Sequence, residues 1–308
     1  MNQTAALLAL APLLAMSACS ATAARSEGAP GIRVAHLGAD GGDPGGFAAL
    51  RTSFAAANPG YDVQWTEDLA ALRAEERDRI AFVQSGDPAS EALGMGDVVL
   101  LRPGQSHAAP QGCRAVVFAV PEPLPADLPA VIRPDWDGNI TDTPGGCAEE
   151  TGAYRRILLT WLPTVGPYVY RALNCHRVRI TDSFAHYHPV IGGFDEFYLV
   201  QMVQPGAVLY TSTKVGRMED PTSVTAEEAA VMVDRHELEV GDLVYLPRGT
   251  MHRGFGGVLA QVITTPGFRP GAEIGLDHRL RAINEHLGLR GSEALPFRES
   301  SSVAPVVK

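Results

Sequence analysis

The stretch GDLVYLPRGTMH (residues 241–252) runs from an apolar strand pattern into a Pro-Arg-Gly turn and closes on a histidine, His252. Leu243 to Leu246 suit a pleated, buried surface, while Pro247 removes a ladder donor and Gly249 admits turn geometry. A histidine after a turn says little alone. Its weight comes from SFAHYHPVIGGFDEFYLVQMVQPG (residues 183–206), where His186 and His188 stand two positions apart. Side chains of an extended strand alternate, so both imidazoles face one side. Glu196 opens the next apolar run, and its neighbour Asp195 faces the other way unless a bulge turns it inward. His186, His188, Glu196 and His252 are thus the expected metal ligands. Three imidazole nitrogens and a carboxylate suit a first-row divalent ion and leave positions open for substrate or dioxygen. The donor set does not distinguish Fe, Mn, Zn, Ni or Cu.

The opening stretch also has a partner within the chain. GDVVLLRPGQSH (residues 96–107) aligns with it without gaps: the first glycine, the aspartate, the apolar run, the second glycine and the histidine coincide. Such self-similarity marks a duplicated unit. Short runs rich in β-branched and aromatic residues, bounded by turn residues, follow one another from residue 154 to residue 267, as expected of an all-β sandwich or barrel. FAALRTSFAAAN (residues 47–58) has helical spacing and stops at Pro59-Gly60. A second helix is expected near the end, with Leu280, Ile283 and Leu287 on one face, Asp277 as N-cap and Gly288 as stop. Between the units, residues 121–144 are dominated by Pro, Asp and Gly and read as a connector. The expected organisation is a leader and linker over residues 1–30, an N-terminal unit over 31–120, a connector over 121–150, a metal-binding unit over 151–275, and a helix with tail over 276–308.

These residues resemble the cupin family, whose motifs have the forms G-x5-H-x-H-x3,4-E-x6-G and G-x5-P-x-G-x2-H-x3-N. Gly241, Pro247, Gly249 and His252 match the second motif, and Gly256 stands in place of its asparagine. The first motif fits less closely. Ser183 precedes the histidine pair, no glycine stands six residues before His186, and seven residues separate His188 from Glu196. The added length contains Gly192-Gly193, which reads as a longer turn between two strands. The resemblance covers residues 177–268 and, more faintly, 78–120, so it implies two jelly-roll β-barrel units in a mainly β, bicupin-like fold. The first unit keeps only His107 of the ligand set and is expected to be metal-free. By motif position Tyr198, Tyr245 and Arg248 fall near the site and are the expected substrate-binding residues; no catalytic residue is singled out. His36, His176, His236, His278 and His286 lack companion spacing and read as surface residues.

Composition narrows the function. Hydrophobic residues make up 45% and charged residues 19% of the 308, enough to bury a core and too little charge for wholesale disorder. With 25 Lys and Arg against 35 Asp and Glu, a net charge of −10 and no basic run, nucleic acid is not an expected partner. The N-terminus MNQTAALLALAPLLAMSACSATAA has an apolar stretch of signal-peptide length followed by small residues. AMSAC resembles a bacterial lipobox with Cys19 as the lipidation site, and Ala21-Thr22-Ala23 offers an ordinary cleavage site. Export to the periplasm or a lipid anchor in the envelope is therefore expected. Cys113, Cys147 and Cys175 cannot all pair within one chain, and a Cys113–Cys147 bridge stays open. The resemblance implies a barrel that holds a metal and says little about the reaction, since cupins include dioxygenases, decarboxylases, isomerases, sugar binders and storage proteins; the first expectation is a metal-dependent oxidoreductase of dioxygenase type acting on a small oxygen-rich substrate. A non-catalytic envelope protein binding a metal or small ligand, and an isomerase or epimerase, remain alternatives, as does a homodimer.

Overall fold

The computed structural model describes residues 31–38, 42–87, 91–143 and 154–308. The leader with Cys19, and Cys147, lie outside the described residues; among the described residues Cys113 and Cys175 are buried and form no disulfide.

The first half contributes β1 (Arg33–His36), α1 (Pro44–Ala57), β2 (Asp62–Thr66), β3 (Arg79–Val83), β4 (Val98–Leu101), β5 (Ala115–Ala119) and β6 (Val131–Ile132). The second contributes β7 (Arg155–Leu159), β8 (Asn174–Asp182), β9 (His186–Tyr187), β10 (Asp195–Val203), β11 (Val208–Ser212), α2 (Val215–Met218), α3 (Ala226–Ala230), β12 (Asp234–Glu237), β13 (Asp242–Leu246), β14 (Met251–Thr265), β15 (Ile274–Gly275) and α4 (Asp277–Leu287). Strand pairing is antiparallel in both sheets. Among the described residues the first sheet has the order β2-β5-β3-β4-β6 and the second has ten strands, with β1-β13-β10-β14-β11-β12 as its path and β7, β8, β9 and β15 joined at its side.

Two assignments follow from pairing rather than from local pattern. The strand that opens residues 31–120 lies in the second sheet, where Arg33 to His36 pair with Tyr245 to Asp242. Within the connector, Val131 and Ile132 form an edge strand on β4. Helix α1 begins earlier than the sequence pattern suggests, at Pro44, because Asp43 accepts a hydrogen bond from the Gly46 N–H at 2.8 Å and Pro occupies the first turn.

The duplicated stretches fold alike. Gly96 and Gly241 both take φ near +100°, at 104° and 100°, and lead into β4 and β13. Asp97 accepts from Gly94 N–H at 2.9 Å as Asp242 accepts from Glu239 N–H at 2.8 Å, each carboxylate closing the turn before its strand. The parallel continues to Gly104 and Gly249, also at positive φ.

The two sheets share a core. Ile80, Phe82, Leu100, Val116 and Phe118 of the first sheet meet Phe197, Leu199, Leu243, Tyr245 and Ile263 of the second, with Leu50 and Phe54 of α1 at the seam. Phe54 stands edge-on to Phe197 at 4.9 Å, Phe118 at 5.8 Å and Tyr245 at 5.8 Å. A ring buried this completely contributes about 2–3 kcal/mol of apolar transfer. The alternate residues Tyr198, Val200, Val244, Leu246, Val258 and Val262 form a separate core inside the barrel.

Strand β14 makes the barrel. Its first part pairs with β11 and its second with β10 and β8, with a register shift between Phe255 and Val258. Gly256 and Gly257 carry φ of 89° and 102° at this bulge, and a Cβ on Gly256 would lie 2.8 Å from the Gly206 carbonyl. The position of the family's asparagine is thus a bend that only glycine fits.

Candidate metal centre

His186 and His188 come from β9 and the residue after it, Glu196 from β10 and His252 from β14. Strand β9 is held by pairing of His186 with His252 on one side and Gly275 on the other. Gly249 N–H donates to the His188 carbonyl at 2.7 Å, so the Pro-Arg-Gly turn is fastened to the histidine strand. The long spacing before Glu196 is taken up by a tight turn. Gly193 N–H donates to the Pro189 carbonyl at 3.1 Å, and a Cβ on Gly193 would lie 2.2 Å from that oxygen.

The result is four buried side chains whose donor atoms all lie within 4.8 Å of one another. Their hydrogen bonding shows what they are prepared for. His186 Nδ1 lies 3.0 Å from the Phe184 carbonyl and His252 Nδ1 3.3 Å from the Thr250 carbonyl. A carbonyl only accepts, so each Nδ1 carries the proton and each Nε2 turns a lone pair to the cluster. His252 Nε2 lies 3.0 Å from Glu196 Oε2, yet neither atom has a hydrogen-bond donor, and neither does His188 Nε2. Facing lone pairs in a buried site repel unless a cation or a proton lies between them. The donor set and its orphaned atoms fit a divalent transition ion.

Electrostatics agree. Burial, then the charge of His252, pushes the His186 imidazole down to about 3. Burial brings His252 down to about 4 and holds His188 well below its ordinary value. The imidazoles are neutral at pH 7, the form that ligates metals. Burial raises Glu196 to about 7. Phe184 stacks on His186 with centroids 4.2 Å apart, and Phe194 lies 3.9 Å from His188, which fixes the ring planes.

Beside the cluster lies a cavity of about 200 Å³. Tyr198 lines it, two residues beyond Glu196 on the same face, with its ring 6.2 Å from His252. Tyr245 and Arg248 are not at the site, contrary to their motif positions. Tyr245 pairs with Phe197 in the register and points into the shared core, where its hydroxyl donates to Asp195 at 2.8 Å. Arg248 donates to Asp195 from its Nε and backbone N–H, both at 2.8 Å, and to Asn58 and the Ala57 carbonyl at the end of α1. Strand alternation is the cause: Glu196 points into the barrel, so Asp195 points out and gathers these partners. His107 is partly exposed on the loop after β4 and joins no metal-ligating group among the described residues.

Sequence reasoning missed four cavity residues. His176, read as a surface residue, is set in the cavity wall, and burial holds its imidazole well below the usual range. Glu273 Oε1 lies 3.9 Å from His186 Nε2, and burial followed by the charge of Glu196 raises its carboxyl to about 7. Arg155 and Lys308 complete the charged part of the lining. Only the period-two pattern of β8, which puts His176 on the side of Val178 and Ile180, carried a signal for any of them.

No protein-family model matches the sequence, and no curated protein matches it. Among solved structures, the chain is similar to a Lactobacillus farciminis oxalate decarboxylase in its formate complex, at 14% identity over 79% of this chain and 85% of that one, with TM-score 0.40. It is also similar to procruciferin, an 11S globulin from Brassica napus (10% identity, 70% and 79% covered, TM-score 0.42) and to a protein from Planctomyces limnophilus (19%, 48% and 98%, 0.32). At these identities and scores the likenesses add nothing on activity to what the residues show. The described residues form a mainly β fold of antiparallel sheets, in which the H-x-H strand and the G-x5-P-x-G-x2-H turn, the two stretches that resemble the cupin motifs, converge on one cluster.

Proposed function

We propose that this chain is an exported metalloenzyme, an oxidoreductase of dioxygenase type that acts on a small oxygen-rich substrate held in the cavity beside the cluster. The observation that supports it is the convergence of three imidazoles and a carboxylate whose buried Nε2 and Oε2 atoms have no donor, at the edge of a cavity lined by ionisable side chains. A divalent transition ion held by His186, His188, Glu196 and His252 would supply Lewis acidity and, if redox-active, a centre for dioxygen. The chain's own residues do the rest. Phe184 and Phe194 hold the ligand rings and keep water from their faces. Tyr198 closes the cavity beside His252, and Glu273 Oε1 is placed to hold or exchange a proton with a bound molecule.

These groups favour an enzyme over a module that only binds, since a binding cavity needs no acid or base. They also leave proton-transfer chemistry, as in an isomerase, as the second reading. Elemental analysis of native protein, wild type against His252→Ala and His107→Ala, tests the centre. The first variant should lose most of its metal and the second none; equal content in wild type and His252→Ala would overturn it. Oxygen uptake by metal-loaded protein with phenols and enols tests the reaction. Metal-replete protein that consumes no oxygen with any of them would refute the dioxygenase reading and leave the isomerase.

A further inference from the structure

Beyond the two ligands His186 and Glu196 that it shares with the donor set, the cavity has a composition of its own. One side of the lining is largely apolar: Trp161 and Phe268, stacked on each other at 4.1 Å with 28° between their planes, line it together with Leu159 and Val262. The charged lining consists of Arg155 and Lys308 against Glu196 and Glu273. Lys308 Nζ also lies 5.1 Å from the centre of the Phe184 ring that covers His186, so this cation is at the cavity's inner end and not only at its rim.

From this geometry we infer that the cavity takes a small monocarboxylate with a planar apolar body, the ring lying against Trp161 and Phe268 and the carboxylate meeting Arg155 and Lys308. The inference rests on the metal-centre reading. With both glutamates ionised, the two cations and two carboxylates of the lining balance, and a divalent ion beside Glu196 adds two positive charges that favour an anion. A guanidinium presents a planar fork that matches a carboxylate, and aromatic side chains in the lining favour an apolar, aromatic ligand body. The volume of about 200 Å³ equals about seven waters at ~30 Å³ each, below the ~300–1,000 Å³ typical of drug-sized ligands, so a single ring with one acidic group is the size that fits. An anion without an apolar body would leave the Trp161 wall uncovered.

The test titrates metal-loaded full chain with benzoate, its neutral isostere benzamide, and oxalate, by calorimetry, with metal content measured on the same samples. Benzoate should bind at least about tenfold tighter than benzamide or oxalate. Arg155→Gln should bring benzoate to the level of benzamide while metal content stays unchanged. Lys308→Gln is the second variant, should Arg155→Gln not fold, and should weaken benzoate at least about threefold. Metal-loaded protein that binds benzoate no better than benzamide, or whose variants bind benzoate as wild type does, overturns the inference alone. Protein that takes up no metal overturns the metal centre and the inference built on it.

Discussion

Replacing Glu196 by glutamine should stabilise the metal-free protein and weaken the metal-loaded one. Burial raises the Glu196 carboxyl from 4.5 to about 7, with Oε2 facing the His252 Nε2 lone pair at 3.0 Å. The folded chain therefore keeps this proton up to about pH 7, whereas the unfolded chain releases it above 4.5. Stability of the metal-free wild type accordingly falls as pH rises from 4.5 and has lost the full amount above 7. At ~1.4 kcal/mol per decade this amounts to about 3 kcal/mol at pH 8. The glutamine side chain, which does not ionise, escapes the cost, and its amide N–H can donate to His252 Nε2. In chelator, Glu196→Gln should thus unfold at higher denaturant than wild type at pH 8, with the difference vanishing below pH 4.5. The depressed imidazoles of His186 and His252 cost stability as pH falls below 6.5, but both proteins carry them and the difference cancels. Metal reverses the order. An ion at ~1,000 times its Kd adds about 4 kcal/mol to wild type, and the ionised carboxylate then faces a cation instead of a lone pair. Equal denaturant midpoints in chelator at pH 8, or the same order with and without metal, would refute the reasoning.

Arg248→Ala should destabilise the fold by about 3 kcal/mol, because it leaves the buried Asp195 carboxylate without its guanidinium, yet metal content should not change. Loss of metal in a folded Arg248→Ala protein would return Arg248 to the site. Gly193→Ala should lower both stability and metal content, since its Cβ would collide with the Pro189 carbonyl and displace the turn that delivers Glu196; wild-type metal content would show that the turn does not set the ligand. Mass spectrometry of the mature N-terminus in the native host should find cleavage before Cys19 or after Ala23, and an intact Met1 would refute export.

Local rules account for the legible part of the site. The i, i+2 alternation of an extended strand put His186 and His188 on one side and Glu196 opposite Asp195, and the Pro-Gly turn marked His252 at the end of its strand; the donor atoms of these four lie within 4.8 Å of one another. The repeated stretches likewise announced two related turns, and both take the same backbone form. Alternation relates neighbours along a strand, however, and says nothing about what crosses from another strand. Tyr245 and Arg248 are near the site in sequence but meet Asp195 because that face of β13 packs on α1 and the first sheet. Glu273 and Lys308 reach the cavity because β15 pairs with β9 and residues near Val307 pair with β15. Strand β1 joins the second sheet through a partner about 200 residues away. Sequence by itself determined the donor types and the faces they occupy, since these depend on backbone period and turn chemistry. Which distant side chains close the cavity was decided only by tertiary structure, because strand order and register are settled by how two whole sheets bury their apolar faces together.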